Sequence, residues 1–181
     1  MAVTIPAATA FPAGQLPPGI SEDGTLVAVV DILGSVTARA HGTVLPSPSG
    51  NYPAVVRAPD GRPGITMPGG APPEELQIAT LVDGDGDDRV KEGDQVLVQY
   101  TGVNWETGEV FDSSWERGAP ATLAADEQAV IPGFAKALVG QKVGSQVVAV
   151  LPPSEGYGDQ ESAAIPAGST LVFVIDILSV E

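Results

Sequence analysis

The chain has no cysteine, a single histidine and only eight lysine and arginine residues among its 181. Without cysteine it forms no disulfide, carries no thiol nucleophile and offers no thiolate to a metal. The net charge is −15 and the cationic side chains do not cluster, which argues against nucleic acid or an anionic membrane surface as a partner. No segment approaches the roughly 20 apolar residues of a membrane span, and residues 1–11 lack the features of a signal peptide.

The composition favours a folded protein rich in strands. Hydrophobic residues make up 43% of the chain, and its 22 glycines and 17 prolines indicate many turns rather than long helices. Twelve of the 17 prolines lie in the first 73 residues. We therefore expect an extended, loop-rich N-terminal part and a compact domain over residues 72–181.

One apolar segment occurs twice. Residues 25–34 align with residues 170–179 at an offset of 145, with seven of ten positions identical, and Ile20 matches Ile165 at the same offset. We interpret residues 1–35 as the last loop and last strand of a preceding copy of the domain, and residues 36–71 as a Pro- and Gly-rich linker with short extended pieces. A bare apolar strand invites pairing, so segment 25–34 is expected to join the edge of the domain's own sheet or to form a homodimer.

Local patterns predict the elements of the compact domain. Alternating apolar residues predict strands over 76–82 and 95–103, and residues 146–151 read as another strand. The nearly continuous apolar run 170–180 is typical of a central strand. One short helix is predicted over 132–139, because proline suits a first helical turn and glycine follows the last.

The side chains in this half that stand out for chemistry are aromatic or aliphatic, with one carboxylate among them. They are Tyr100, Phe111, Asp112, Val130, Ile131, Phe134, Tyr157, Ile165 and Phe173. Such a set suits a reaction without covalent chemistry, metal or cofactor, and rotation about an X-Pro peptide bond is one. Amide resonance creates a barrier of about 18–20 kcal/mol. A twisted amide has lost that resonance and is less polar, so an apolar pocket favours it over the planar ground state.

Five separated motifs occur in a family-specific order. They are Tyr100-Thr-Gly, Val110-Phe-Asp-Ser-Ser, Val130-Ile-Pro-Gly-Phe, Gly156-Tyr-Gly and Thr170-Leu-Val-Phe-Val. Residues 72–181 thereby resemble the FKBP-type peptidyl-prolyl cis-trans isomerases. The resemblance implies an α+β fold in which an antiparallel sheet of five to six strands wraps around one short α-helix. It also implies an isomerase that acts on proline-containing polypeptides, assists their folding and needs no cofactor.

The resemblance assigns roles to individual residues. Those expected to act on the reacting amide are Tyr100, Phe111, Asp112, Ile131, Tyr157 and Phe173. Those expected to bind the substrate around it are Val130, Phe134, Ile165, Arg117, Ala121 and Leu123. In this assignment the aromatic rings form the walls and floor, the Ile131 N–H holds a substrate carbonyl, and the Tyr157 hydroxyl binds the substrate backbone.

Some positions depart from the family pattern. Ala121 and Leu123 stand where aromatic residues are frequent, and Ala164 is smaller than the usual aliphatic residue. We expect a wider pocket that binds macrolide immunosuppressants less well. The same departures leave open a non-catalytic peptide-binding or chaperone module of the same fold.

Two further readings rest on single features. Asp83-Gly-Asp-Gly-Asp-Asp, with Asp94 eleven residues after its first aspartate, partly matches a calcium loop, but aspartate replaces the glycine and glutamate of the template. An exposed acidic turn is the competing interpretation. The absence of a signal sequence predicts a cytoplasmic protein if Met1 is the native start, and a bacterial envelope or secreted protein if the chain is a fragment.

Overall fold

The computed structural model describes residues 2–12, 15–21, 23–29, 31, 36–162 and 164–181. These residues form two compact units, one within residues 1–35 and one over residues 36–181. Among the described residues, no helix has the length and apolar character needed to cross a membrane.

The smaller unit contains two strands and one helical turn, namely β1 (Ala2–Pro6), α1 (Ala7–Ala10) and β2 (Thr25–Val29). The strands of the larger unit are β3 (Gly42–Val44), β4 (Ala54–Arg57), β5 (Pro63–Thr66), β6 (Gln77–Gly84), β7 (Gln95–Asn104), β8 (Val110–Ser113), β9 (Ala121–Ala124), β10 (Gln146–Leu151) and β11 (Leu171–Val180). Its helices are α2 (Ser114–Arg117), α3 (Pro132–Leu138) and a single 3₁₀ turn (Pro153–Glu155).

The larger unit is organised around a seven-stranded antiparallel sheet in the order β3-β6-β10-β11-β7-β8, with β9 also paired to β7. The strands predicted at 76–82, 95–103, 146–151 and 170–180 are confirmed as β6, β7, β10 and β11, and the predicted helix is confirmed as α3. The α+β class is therefore confirmed. The sheet has one strand more than expected, because β3 from the predicted linker pairs with β6.

Helix α3 packs on one face of this sheet, which we call the front face. Phe134 and Leu138 of the helix join Val98, Ile175 and other buried side chains in a single apolar cluster. The helix approaches the sheet closely at Gly133, where an added Cβ would lie 2.5 Å from the Leu151 Cγ atom. A side chain there would push the helix away, so this glycine sets the separation between α3 and the sheet.

The opposite, back face is covered by residues 36–71, which we call the arm. Strands β4 and β5 form a hairpin in the arm. Tyr52, Val55, Ile65 and Met67 of the arm pack against a second apolar cluster of the sheet. That cluster consists of Val103, Trp105, Val148, Val150, Val172 and Val174. The segment predicted as a linker therefore contributes one strand and one face of the core to the larger unit.

Strand β2 covers part of the repeated segment 25–34 and pairs with β1 in a two-stranded sheet, so its partner lies in its own unit. Val30 and residues 32–34 lie outside the described residues. Strands β1 and β2 pair in the same register as β10 and β11. The Ile5–Leu26 pair of the smaller unit corresponds to the Leu151–Leu171 pair of the larger unit. In both hairpins a short helical turn follows the first strand.

Candidate functional site

A cavity of about 710 Å³ lies between the first turn of α3 and the front face of the sheet. Its lining is aromatic and aliphatic towards the sheet and polar at the rim. The lining residues are Tyr100, Phe111, Asp112, Leu123, Glu127, Gln128, Ala129, Val130, Ile131, Pro132, Phe134, Gly156, Tyr157, Gln160 and Phe173. Strands β7, β8, β9 and β11, helix α3 and two loops each supply part of this wall.

Four aromatic rings form the inner wall of the cavity. Phe173 is central, with its ring centroid 5.1 Å from that of Phe134 and 5.5 Å from that of Phe111, both nearly perpendicular to it. The Tyr100 and Phe134 rings are also edge-to-face at 5.7 Å. Edge-to-face packing is the favourable geometry for aromatic quadrupoles. The Phe173 ring packs against all three of the other rings. The wall is therefore apolar and fixed before any substrate arrives.

A β-bulge brings two consecutive residues of β8 into the same cavity. Neighbouring residues of a strand normally point to opposite faces of the sheet. Here Gly102 pairs with Asp112 and Val103 with Val110, so Phe111 is an extra residue without a partner on β7. The bulge turns the strand locally, and Phe111 and Asp112 both line the cavity.

Gly102 leaves room for two of the rings. It pairs with Phe173 on one side and with Asp112 on the other. A Cβ at this position would lie 2.6 Å from the Phe111 ring and 2.9 Å from the Phe173 ring. The sequence motif contained this glycine, but the sequence did not predict that its missing side chain leaves room for the Phe111 and Phe173 rings.

Asp112 places a carboxylate next to the aromatic wall, and its charge is compensated. It accepts hydrogen bonds from the Tyr100 hydroxyl and the Arg117 guanidinium. Arg117 also donates to the Tyr100 oxygen at 2.9 Å and lies over the Tyr100 ring. Burial raises the pKa of Tyr100 above its usual 10.0, and the hydrogen bond to Asp112 raises it further. The phenol therefore stays protonated at neutral pH.

Two groups that can form hydrogen bonds lie at the mouth of the cavity, namely the Ile131 N–H and the Tyr157 hydroxyl. The Ile131 carbonyl begins α3 by accepting from the Phe134 and Ala135 N–H groups, at 3.0 and 3.2 Å. Its own N–H has no acceptor among the described residues. Tyr157 follows the 3₁₀ turn, and its side chain is 43% exposed at the rim.

Nine of the twelve residues predicted for the site line this cavity, and three do not. Ile165 is 7% exposed and belongs to the front-face core behind the site. Arg117 reaches the site only through Asp112 and Tyr100. Ala121 lies on β9 opposite Val98. Neither Ala121 nor Ala164 lines the cavity, and the expectation that their small side chains widen it stays a prediction.

The polar part of the rim was not predicted from the sequence. Glu127, Gln128 and Gln160 line the cavity from the β9–α3 loop and the loop after the 3₁₀ turn. All three are exposed, and polar residues in loops carry no periodic signal that distinguishes them from other surface residues. The one signal that could have identified them is their position beside two of the recognised motifs.

The acidic turn at residues 83–94 does not assemble a cation site. Asp83 binds the Lys142 ammonium at 3.1 Å, Asp85 contacts His41, and Asp94 accepts the Lys91 N–H at 2.8 Å. Within the described ranges no three His, Asp or Glu side chains converge as metal ligands would. These three carboxylates therefore contact separate partners.

Comparison with known proteins gives close relatives over most of the chain. A protein from Corynebacterium glutamicum named "Probable FK506-binding protein" is 39% identical over 118 residues, covering 65% of this chain and 98% of the relative. The "FK506-binding protein" of Streptomyces anulatus is 38% identical over 121 residues, covering 66% of this chain and 97% of the relative.

Solved structures agree with this relationship. FkpA from Escherichia coli superposes with a TM-score of 0.54 at 31% identity, covering 70% of this chain and 51% of FkpA. AtFKBP13 gives a TM-score of 0.53 at 31% identity, covering 60% of this chain and 94% of its own. The family model for FKBP-type peptidyl-prolyl cis-trans isomerases matches residues 86–178, which include the whole aromatic wall. With sequence, fold and cavity in agreement, the chain belongs to the FKBP-type peptidyl-prolyl cis-trans isomerases.

Proposed function

We propose that the aromatic cavity accelerates X-Pro rotation by binding the twisted amide more tightly than the planar one. The observation that carries this proposal is the packed wall of four rings around a carboxylate whose charge is already compensated. A planar amide is polar and prefers water, whereas the twisted amide loses less hydration free energy when it enters an apolar cavity. Lowering the barrier by about 4 kcal/mol would accelerate rotation roughly a thousandfold.

Individual groups take distinct roles in this proposal. The free Ile131 N–H holds a substrate carbonyl and the Tyr157 hydroxyl binds the substrate backbone, so the proline ring is directed at Phe134 and Phe173. Arg117 acts as a positioning residue, because it holds Asp112 and the Tyr100 hydroxyl in place. No proton is transferred and no bond is broken, so the substrate class is any accessible X-Pro segment of a polypeptide.

The direct test is cis-to-trans exchange of an X-Pro peptide measured by NMR with the full chain. We expect acceleration by the parent and about a tenfold loss in Tyr157→Ala, the order expected when one positioning hydrogen bond is removed. Tyr157→Phe separates the hydroxyl from the ring. Val110→Ala, at an exposed position next to Phe111, is the matched control and should match the parent.

The same experiment distinguishes the alternative of a non-catalytic peptide-binding module. That alternative predicts chemical-shift changes around the cavity without faster exchange. Exchange equal in the parent and in Tyr157→Ala would instead contradict the assignment of this residue.

We further propose that residues 1–35 are the counterpart of the last hairpin of this domain, with residues 72–181 as the isomerase domain proper. The shared sequence and the equal register of β1–β2 and β10–β11 support this relationship. In the smaller hairpin Ala28 occupies the position of Phe173, which removes the ring central to the wall. The proposal predicts that the smaller hairpin does not contribute to isomerisation, so Leu26→Ser leaves the exchange rate unchanged.

We also propose a homodimer through segment 25–34. Val27 and Val29 of β2 are 68% and 74% exposed, and within the described residues β2 pairs only with β1. Sedimentation over a range of concentrations tests this, with Val27→Lys as the disrupting variant. A monomer mass independent of concentration would contradict it.

A further inference from the structure

A groove runs along the larger unit between the arm's hairpin and the edge strand of the sheet, away from the aromatic cavity. One half is a hollow of about 380 Å³ lined by Arg39, Ala40, His41, Arg57, Ala58 and Gly61. The other half is a hollow of about 390 Å³ lined by Val44, Leu45, Ser47, Val55, Val56, Arg57, Leu81 and Gln146. Arg57 lines both halves, so a single groove has a cationic end and an apolar end.

The cationic end is unusual for this chain. Two of only eight lysine and arginine residues line it, in a molecule with a net charge of −15. Arg57 makes no ion pair among the described residues. Its charge does act on Asp176, because Arg57 lowers the pKa of that carboxyl, and the Arg39 guanidinium donates to the Pro59 carbonyl. Asp176 lies buried beneath the groove and accepts the Ala40 N–H, while Asp85 contacts His41.

The apolar end exposes side chains that a solvated surface would not favour. Val44 is 64% exposed, Val56 is 71% exposed and Leu45 is 37% exposed. These three side chains lie together along one groove rather than singly. Apolar patches of this kind, bordered by charge, are typical of surfaces that bind another polypeptide.

The groove is lined in part by two strands that each have a single strand partner within the described ranges. In the part of the chain that the structure describes, β3 pairs only with β6, and β4 pairs only with β5. Within that part, each of these strands therefore retains one edge without a backbone partner. Val44 of β3 and residues 55–57 of β4 line the groove. An extended peptide satisfies such an edge by adding a strand, with backbone hydrogen bonds for affinity and side-chain hollows for specificity.

We propose that this groove binds an extended polypeptide segment in which an acidic side chain is flanked by apolar ones. The carboxylate lies between Arg57 and Arg39, because a guanidinium offers two parallel donors to a carboxylate. The neighbouring apolar side chains cover Val44, Leu45 and Val56. The site is separate from the aromatic cavity, and it gives the isomerase a second contact with an unfolded chain.

The test uses a capped peptide without proline, acetyl-Thr-Leu-Glu-Val-Thr-amide, titrated into the full chain and followed by amide chemical shifts. We expect shifts at residues 43–45 and 55–57. We expect affinity to fall about tenfold when the peptide's glutamate is replaced by glutamine, the order of one charge-assisted hydrogen bond. The net charge of −15 repels an acidic peptide elsewhere on the molecule, so preference for glutamate points to the groove.

Two variants and one control complete the experiment. Arg57→Gln should weaken binding of the glutamate peptide about as much as the change in the peptide does. Val44→Glu places a carboxylate at an exposed position of the groove and should also abolish the preference for glutamate. Lys91→Gln removes the same charge at an exposed position outside the groove and should bind like the parent.

Three results would overturn the proposal. One is equal affinity for the glutamate and glutamine peptides. Another is shifts confined to the aromatic cavity. The third is unchanged binding in both Arg57→Gln and Val44→Glu. None of these results bears on X-Pro exchange, which is measured separately on the same samples.

Discussion

Gly102 is the residue on which the shape of the aromatic wall depends most directly. We predict that Gly102→Ala lowers X-Pro exchange about tenfold or more and destabilises the fold by about 1–3 kcal/mol, the usual cost of overpacking. The reason is that the new Cβ would lie 2.6 Å from the Phe111 ring and 2.9 Å from the Phe173 ring, so both rings must move. Exchange by NMR and a urea unfolding curve measure the two effects.

Gly69 provides the matched control for this change. It lies in the arm, and a Cβ there has no heavy atom within 4 Å. Gly69→Ala should therefore leave both exchange and stability close to those of the parent. If Gly102→Ala behaved in the same way as Gly69→Ala, the space beside Phe111 would not limit the site.

At the scale of elements, the strands and the helix that depend on local sequence patterns were predicted correctly. The continuous apolar run of β11 and the Pro132 to Gly140 signals of α3 depend only on nearby residues, and both elements formed where expected. The bulge at Phe111 depends instead on the register between β7 and β8, which no local pattern specifies. The arm, likewise, packs on a sheet face that is distant in sequence, so no local pattern predicted this contact. Its prolines and turns therefore resembled those of a linker.

The arm allows a sharp test, because adjacent residues of β4 point in opposite directions. Val55 packs on the back-face cluster, whereas Val56 is 71% exposed. We predict that Val55→Asp lowers the free energy of unfolding by about 2 kcal/mol or more, since it places a charge against apolar side chains. Val56→Asp should cost about 0.5 kcal/mol or less, as is usual for exposed positions.

Urea unfolding of the two variants measures this difference. Both introduce the same residue into the same strand, so the low strand propensity of aspartate affects them equally. Equal unfolding midpoints would mean that the arm contributes little to the core. Under that result residues 36–71 would be the linker that the sequence suggested.

At the scale of the whole molecule, the buried Asp176 makes stability depend on pH. Burial raises the pKa of Asp176 above its usual 3.8, against hydrogen bonds from the Ala40 N–H and from Gln146 that lower it. The folded state then binds more protons than the unfolded state above about pH 4, so this group's contribution to stability falls as pH rises towards neutrality.

The variant Asp176→Asn removes that dependence. We predict that its free energy of unfolding, relative to the parent, rises as pH is raised from about 4 to about 7. Asp159→Asn, at an exposed position, removes the same formal charge and should follow the parent throughout. A pH-independent difference between Asp176→Asn and the parent would contradict the effect of burial. Urea unfolding at a series of pH values provides the measurement.

The central position of β11 in the sheet also affects when the domain can fold during synthesis. This strand lies between β10 and β7 and joins the two halves of the sheet, yet it is the last of the described strands to leave the ribosome. Pairing β11 with β7 closes a long loop, and such distant contacts slow folding. Until residue 180 has emerged, the backbone N–H and C=O groups along the facing edges of β7 and β10 lack their strand partner. The two halves of this sheet are therefore joined only when β11 is available to pair with both.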